Sequence, residues 1–344
     1  MSGASLETAY RSEKKAQQKG DAMKQAKIVW VVALAAIVLG CENPSSTKDE
    51  TGTLTVRSYS ESYADPSKIS AESPINAILD VTYPDGSKRT VVTDGLGFYD
   101  FGAVPAGTYE IKPRYLDDLA PTRISVGKGE PVSKTILLPY IEIAYYLFDP
   151  DTAPVNVATV REALSLAIVR QDIADASGGT NEPLTSCIPA RLAGPWSAAA
   201  HAYTESLGES LTTLGNGAAD LAISYNDNVP VNASIAAKVR DQWQAIGTAV
   251  TVSLSAYSWA DFVRKRDVDK SFQAARGGWG YDSNNPLPMF AAQVFLETAE
   301  YASLLQAAEA DLARGDFGAF DADIVALNDY LVDNCLIIPL YQNK

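Results

Sequence analysis

The chain has few of the residues that carry most enzyme and metal chemistry. Its 344 residues include one histidine, His201, and three cysteines, and no pair of cysteines has the Cys-x-x-Cys spacing. Zinc centres and dithiol redox sites need such residues in clusters, and a Ser-His-Asp triad would have to use His201, which lies in no recognisable motif. We therefore expect no metal, no cofactor and no enzyme activity.

Positive charge is scarce as well. The chain has 28 Lys and Arg against 42 Asp and Glu, a net charge of -14. Residues 1–40 hold six basic and three acidic residues, a local +3, so the remaining residues carry -17. A surface this acidic repels phosphate backbones and anionic lipid headgroups. We expect no nucleic acid partner, whereas cationic ligands and peptides are compatible with this charge.

The longest apolar run, residues 28–39, is too short for a transmembrane helix, which needs about 20 residues. It follows the basic residues 24–27 and ends at Gly40-Cys41, as in a secretory signal peptide. The residues Val38-Leu-Gly-Cys41 resemble the lipobox of bacterial lipoproteins. That resemblance implies cleavage before Cys41 and attachment of a lipid to its thiol. An ordinary secretory signal is the alternative.

The N-terminal segments follow from this interpretation. Residues 1–40 are predicted to be a leader with a signal peptide whose true start is Met23. Residues 41–52 are polar and form a lipid-anchored tether. We expect the protein in the cell envelope, outside the cytoplasm and attached by lipid to a membrane. Disulfides persist there, so Cys187 and Cys335 are candidates for a bridge; two buried thiols are the alternative.

Residues 53–138 have the pattern of a small all-β sandwich, because short segments alternate apolar and polar residues between turn sequences. The predicted strands cover residues 54–59, 77–83, 89–93, 108–112 and 133–138. Thr93-Asp-Gly-Leu-Gly-Phe98, followed by Pro105-Ala-Gly-Thr-Tyr109, resembles the carboxypeptidase-regulatory-like, transthyretin-like sandwich. That resemblance implies a spacer or adhesive role without catalysis. Binding of carbohydrate or protein through the loops is the alternative.

Residues 139–344 alternate strands and helices, which predicts an α/β domain. One helix is predicted to begin at Thr159 with a capping box to Glu162, and another is predicted to be capped by Asn232. Further predicted elements are strands at 141–148 and 336–341 and helices at 298–314 and 317–333.

Four motifs of this domain lie in a recognisable order. They are Val160–Arg170, Asp241–Gly247, Ala275–Phe290 and Ile337–Tyr341. They resemble motifs of the oligopeptide- and dipeptide-binding proteins of bacterial ABC transporters, the extracellular solute-binding family 5. The resemblance implies a periplasmic-binding-protein-like lobe. Two positions depart from the family pattern, since Val169 and Asn285 stand where that pattern has an acidic residue.

The same resemblance implies a ligand site at Asp282, Arg276 and Trp279. Asp282 has the position that binds a peptide's ammonium group, which needs a carboxylate once it leaves water. Arg276 would meet a peptide side chain or terminal carboxylate, and Trp279 would form an apolar wall. The alternatives are that Asp282 caps a loop and that Trp279 is core. Trp243 and Trp259 are assigned to packing.

The motifs all belong to one of the two lobes that close on the ligand in that family. A β-sandwich takes the place of the other lobe. We therefore expect a half-site with weak, about millimolar, peptide affinity, because good sites bury most of a ligand. A partner protein would supply the missing lobe, or the chain would serve an ABC transporter permease. The alternative is a structural or adhesive envelope lipoprotein that uses the lobe as a scaffold.

Replacing Asp282 by Ala separates these two hypotheses. In a peptide-binding protein, Asp282→Ala is expected to abolish binding, because the ammonium group loses its counter-charge. In a scaffold protein, the same change is expected to have no effect on peptide titration, because Asp282 contacts no ligand. Calorimetric titration of peptides into the two forms measures the difference.

Overall fold

The structure, a computed structural model, describes residues 51–60, 76–178, 180–192, 196, 206–215, 219–293 and 298–343. The predicted leader, Cys41 and the tether up to residue 50 lie outside these residues, as does His201. Within the described part of the chain, no helix is long and apolar enough to cross a membrane. Secretion and lipidation therefore stay predictions.

The N-terminal part of the described chain is built from seven strands. They are β1 (Thr51–Ser60), β2 (Ile78–Thr82), β3 (Lys88–Val92), β4 (Phe98–Pro105), β5 (Gly107–Pro113), β6 (Thr122–Val126) and β7 (Pro131–Leu138). One sheet has the order β4-β1-β7 and the other has the order β3-β2-β5-β6. Side chains from both sheets, such as Val56 and Ile111, are buried in one apolar core.

Five of these strands overlap the predicted segments, because alternation of apolar and polar residues marks a strand with one buried face. The prediction missed β4 and β6. In β4 only Val104 is buried, and in β6 only Ile124 and Val126 are buried, so few apolar residues mark either strand. The resemblance to the transthyretin-like sandwich stays a prediction.

The remaining strands form one six-stranded sheet surrounded by helices. The strands are β8 (Ile141–Phe148), β9 (Glu182–Pro183), β10 (Ala219–Asn226), β11 (Val250–Tyr257), β12 (Ala274–Tyr281) and β13 (Ile337–Gln342), in the order β11-β10-β12-β8-β13-β9. The neighbours β8 and β13 are buried over nearly all their residues, which explains their continuous apolar sequences. This mixed α/β arrangement agrees with the predicted periplasmic-binding-protein-like lobe.

Eight α-helices are described in the same part of the chain. They are α1 (Ala158–Leu166), α2 (Arg170–Ala176), α3 (Leu207–Leu214), α4 (Pro230–Gln244), α5 (Trp259–Val263), α6 (Leu287–Ala291), α7 (Ala299–Arg314) and α8 (Phe317–Asp333). A π-helical turn, Arg264–Val268, follows α5 directly. Predicted and observed bounds agree for α8 because five apolar residues mark one of its faces.

Two predicted helix caps are wrong. Helix α1 begins before Thr159, and no side chain caps it, so the capping box with Glu162 does not form. Helix α4 begins at Pro230, whose fixed φ suits the first helical position, and Asn232 lies inside its first turn. The amide of Asn232 instead donates to the carbonyl of Asn226 at 3.2 Å, where β10 ends.

The loop after β12 joins the β-rich part to the six-stranded sheet. Asn284 is fully buried, and its side-chain oxygen accepts from the Ile78 backbone N–H at 3.0 Å. Its amide nitrogen donates to the carbonyls of Ile78 at 2.7 Å and Arg114 at 2.6 Å. Ser283 donates to the carbonyl of Asn76 at 2.5 Å. Two consecutive loop residues thus bond to the start of β2 and to the residue that follows β5.

A second contact between the same parts surrounds Tyr115. Its ring lies 4.0 Å, centroid to centroid, from that of buried Trp196, and its hydroxyl donates to Asp321 of α8 at 2.5 Å. Burial raises the pKa of Tyr115 well above its usual value, and burial also raises the pKa of Asp321. The contact is therefore largely shielded from water, and the two parts share one apolar core.

Asn284→Ala is expected to destabilise the protein by about 1–3 kcal/mol, because it leaves the buried Ile78 N–H without its partner and removes the hydrogen bonds to the carbonyls of Ile78 and Arg114. The matched control is Asn156→Ala, which changes an exposed asparagine and should stay within about 0.5 kcal/mol of wild type. Urea unfolding measures both. Equal stability of the two variants would show that the loop does not hold the two parts together.

Candidate functional site

A cavity of about 760 Å³ lies where β10 and β12 separate. Strand β12 pairs with β8 over its whole length, from Ala274 to Tyr281. It pairs with β10 only through Ala274 and Ala275. Beyond Ala275, the described strands offer no ladder partner on the β10 side of β12. The first turn of α4, helix α5 and the π-helical turn complete the walls of the cavity.

Two glycines of β12 allow aromatic rings to lie against the strand. A Cβ atom at Gly277 would clash with the ring of Tyr145, and one at Gly280 would clash with the hydroxyl end of Tyr140. Both tyrosines line the cavity. Glycine is therefore required where another backbone or ring approaches this closely. The Arg-Gly-Gly-Trp-Gly sequence has a structural cause in this close approach.

Arg276 lines the cavity and is half-buried. Its guanidinium donates to the Gly277 carbonyl at 2.6 Å and to the Tyr341 hydroxyl at 3.1 Å. Its Nε is buried and has no hydrogen-bond partner. No carboxylate of the described residues forms an ion pair with Arg276. A half-buried cation without an anion is costly, because two neutral hydrogen-bond acceptors replace its lost hydration only in part.

The π-helical turn adds a pair of opposite charges to the cavity. Arg266 and Asp267 are adjacent in sequence, and two hydrogen bonds join them, one of 2.8 Å. Burial alone would lower the pKa of Arg266, but the hydrogen-bonded carboxylate of Asp267 raises it overall. π-Helical turns are rare and often lie at functional sites. Neither residue was predicted from the sequence, because no apolar period marks such a turn.

The tryptophans of this domain are placed partly in the core and partly at the cavity, which differs in part from their predicted roles. Trp243 is fully buried and donates to the Leu164 carbonyl at 3.0 Å, as a packing residue should. Trp279 packs against the core and also lines the cavity, and its contact with a ligand stays a prediction. Trp259 was assigned to packing, yet 53% of it is exposed and it lines the cavity. Only the tertiary structure brings Trp259 to the mouth of the site.

Asp282 lies after the last residue of β12, is exposed and is not part of the cavity lining. Burial of its carboxylate nevertheless raises its pKa above the ordinary value, because the flanking loop removes part of its water. Asn285, which stands at the acidic family position, accepts from the N–H of Leu287, the first residue of α6, at 3.1 Å. The structure thus brings Arg276 and Trp279 together and leaves Asp282 outside the lining.

The two described cysteines are buried and no disulfide joins them. Burial raises the pKa of the Cys187 thiol far above its usual value, so the thiol stays protonated and unreactive. The burial of both cysteines agrees with the alternative of two buried thiols, and the predicted disulfide bridge is wrong. Among the described residues, no cluster of three or more His, Cys, Asp or Glu could hold a metal ion.

Comparison with known proteins identifies the family. The model of the bacterial extracellular solute-binding proteins, family 5 Middle, matches residues 113–299, which is more than half of the chain. The chain belongs to solute-binding family 5. The match begins in β5, before the predicted start of the lobe at residue 139. Family 5 proteins are extracellular binding proteins, and no curated protein sequence matches this member.

Solved structures of peptide-binding proteins share the fold of this family 5 domain. A peptide-binding protein of a peptide ABC transporter is 19% identical, with a TM-score of 0.52 over 59% of this chain and 100% of its own. The periplasmic murein tripeptide-binding protein MppA is 22% identical, with a TM-score of 0.50 over 60% of this chain and 42% of its own. Haemophilus influenzae OppA, in complex with RPPGFSPFR, is 20% identical, with a TM-score of 0.50 over 59% and 44%. The chain thus spans less than half the length of the two larger relatives.

Asp282→Asn is expected to stabilise the protein slightly at neutral pH but not at acidic pH. Because burial raises the folded-state pKa of Asp282 above the unfolded value, the charged carboxylate costs stability once the pH exceeds that unfolded value. The cost grows as the pH rises through the raised pKa, and asparagine does not carry it.

Asp282 keeps much of its surface in water, so the gain should not exceed about 1 kcal/mol. Urea unfolding of both forms at acidic and neutral pH measures it. Asp227→Asn, at an exposed aspartate, is the matched control. A loss of stability on replacing Asp282 at neutral pH would contradict the expected cost of this carboxylate.

Proposed function

We propose that this family 5 protein is a lipid-anchored, extracytoplasmic solute-binding protein that binds peptides weakly in the cavity between β10 and β12. The observation that carries the proposal is Arg276, a half-buried cation without a carboxylate partner in a cavity that Trp279 also lines. Such a cavity offers a charge for a peptide carboxylate and an apolar wall for a side chain. The proposal involves binding without catalysis.

The unpaired edge of β12 supports a peptide ligand in particular. Beyond Ala275 its backbone faces the cavity without a neighbouring strand among the described residues. An extended peptide can add to such an edge by main-chain hydrogen bonds, while side-chain pockets select its residues. The names of MppA and of the OppA complex associate those proteins with peptides. Their shared fold makes a peptide the first ligand to test here.

The expected affinity is low, about millimolar. Trp259 and Glu142 at the cavity are exposed to solvent, so a bound peptide keeps part of its surface in water. Ion pairs that stay wet contribute only about 0–1 kcal/mol. A partner protein that supplies a second lobe, or a permease of an ABC transporter, would complete the site. Lipidation at Cys41 would keep the protein near such a partner at the membrane.

A structural or adhesive role of the envelope protein is the second candidate. It is favoured by the loop after β12, where the side chains of Ser283 and Asn284 form hydrogen bonds with the backbone of the β-rich part. A loop used as a joint leaves less freedom to close on a ligand. In this role the lobe is a scaffold, and the β-rich part is a spacer or an adhesive module.

Titration of free di- to pentapeptides, followed by NMR, tests the first candidate. Wild type is expected to bind with a Kd of about 1 mM, and Arg276→Met about tenfold more weakly, because a charge-assisted hydrogen bond is lost. The matched control is Arg123→Met. The exposed guanidinium of Arg123, on β6, forms an ion pair of 2.8 Å with Glu110 on β5, away from the cavity lining. Micromolar binding by the monomer would contradict the half-site. Equal binding by wild type and Arg276→Met would contradict the assigned cavity.

A further inference from the structure

Strand β11 forms one edge of the six-stranded sheet, and its outer side has no neighbouring strand in the described part of the chain. It runs parallel to β10 over all its eight residues. At one end of this ladder the Ala219 N–H donates to the Ala249 carbonyl, and at the other end the Asp227 N–H donates to the Tyr257 carbonyl. Because alternate residues of a parallel strand bond to a given neighbour, the odd-numbered residues of β11 face β10 and the even-numbered residues face away.

The outward backbone groups of β11 lack protein partners. They are the N–H and carbonyl groups of Val252, Leu254 and Ala256, and no described residue forms a hydrogen bond with any of them. Leu254 is half-buried and Ala256 is exposed, so water reaches this edge. A row of unpaired backbone groups is a template on which another strand can pair.

The other edge strands of the three described sheets all carry a feature that hinders pairing with another chain. Charged side chains, proline and short length are such features. They are Lys88 and Arg89 in β3, Asp100 and Pro105 in β4, Arg123 in β6, Pro131 and Lys134 in β7, and Pro183 in the two-residue β9.

Strand β11 has none of these features. Residues 248–259 include no charged residue and no proline, although 20% of the whole chain is charged. The net charge of the chain is -14, so two copies repel each other over most of their surfaces. The edge of β11 therefore offers a second copy a contact without charge.

The sequence of β11 is also nearly symmetric about Leu254. Val252 and Ala256 flank it on one face of the strand, and Ser253 and Ser255 flank it on the other. In an antiparallel pair with a two-fold axis at Leu254, Val252 lies opposite Ala256 and Ser253 lies opposite Ser255 of the second copy. Opposite side chains then match, apolar with apolar and hydroxyl with hydroxyl, and such cross-strand pairs stabilise a sheet.

We propose that two copies of this chain pair antiparallel through β11, with the two-fold axis at Leu254, so that their six-stranded sheets become one. All the outward N–H groups then have partners, because Leu254 pairs with itself across the axis and Val252 pairs with Ala256 in both directions. Each copy uses the same patch, so association stops at the dimer. A single pair of strands buries little surface, and we expect a weak dimer with a Kd of about 100 µM.

The same register brings the second copy close to the cavity. Val250 of the second copy lies opposite Ser258, the residue before Trp259, whose ring is exposed and lines the cavity. The dimer thus adds backbone of a second chain beside the open side of the site. The inference does not depend on peptide binding, because it rests on the edge of β11 alone.

Sedimentation velocity of the protein between about 10 µM and 1 mM tests the dimer. Ala256→Pro is expected to weaken dimerisation about tenfold, because it removes an outward N–H while the ladder with β10 keeps its bonds. The matched control Ala256→Thr keeps the N–H and should dimerise as wild type does. A wild-type protein that stays monomeric at 1 mM would overturn the proposal.

A second pair of variants tests the same edge without changing its backbone. Ser253→Glu sets a negative charge near its own copy across the axis and should also weaken the dimer about tenfold. Ser133→Glu adds the same charge at an exposed serine of β7 and should leave the dimer unchanged. Thermal unfolding checks that all variants are folded. An equal Kd for these two variants would place the contact elsewhere and overturn the proposal.

Crosslinking tests the register. Opposite residues of a hydrogen-bonded antiparallel pair have Cα atoms about 5.5 Å apart. In a Cys41→Ser background, Leu254→Cys should therefore form a covalent dimer with a short thiol crosslinker, whereas Cys187 and Cys335 are buried. Exposed Thr251→Cys lies about 20 Å from its own copy and should not crosslink. Crosslinking at residue 251 but not at residue 254 would overturn the proposed pairing.

Discussion

The incomplete pairing of β12 is the constraint on which the candidate site depends. Antiparallel pairing with β8 holds the strand along its whole length, whereas pairing with β10 stops after Ala275. A complete ladder on both sides would satisfy the backbone of β12 and leave no room for a ligand. Separation of the two strands instead opens a cavity, exposes a strand edge and sets Arg276 at its wall. The paired side of β12 fixes the position of the strand, and its open side borders the cavity.

The segment that follows β12 has a different task from the strand itself. Its buried polar residues, Ser283 and Asn284, bond to the backbone of the β-rich part. Buried polar groups must be hydrogen-bonded, so these contacts restrict the position of the loop. One continuous stretch therefore forms the wall of the cavity and then the joint between two sheet systems. Motion of the β-rich part relative to the cavity is limited by this joint and by the shared core.

Elements with a strong local pattern could be predicted, and those with a weak one could not. The apolar run of β8 and the apolar face of α8 led to correct bounds. Strand β4 buries only Val104, so it has no pattern to detect. The error at Asn232 has a local cause too, because Asn is a common cap but Pro230 is better suited to the first helical position. Pro230 and Asn232 favour different starting points for α4, and the helix begins at the proline.

A continuous motif contains Arg276 and Trp279, so both could be named as candidate ligand residues, and the family match covers the same segment. Glu142 was not predictable in this way, since it joins the site through strand pairing with a segment far away in the chain. Local sequence thus decides charge, strand and helix content and family. Only tertiary structure decides which charges share a cavity, and it leaves Asp282 outside it. The physical reason is that the register of β8 with β12 and the separation of β12 from β10 depend on packing across the whole sheet. Segments that are far apart in sequence take part in that packing, so no local pattern encodes it.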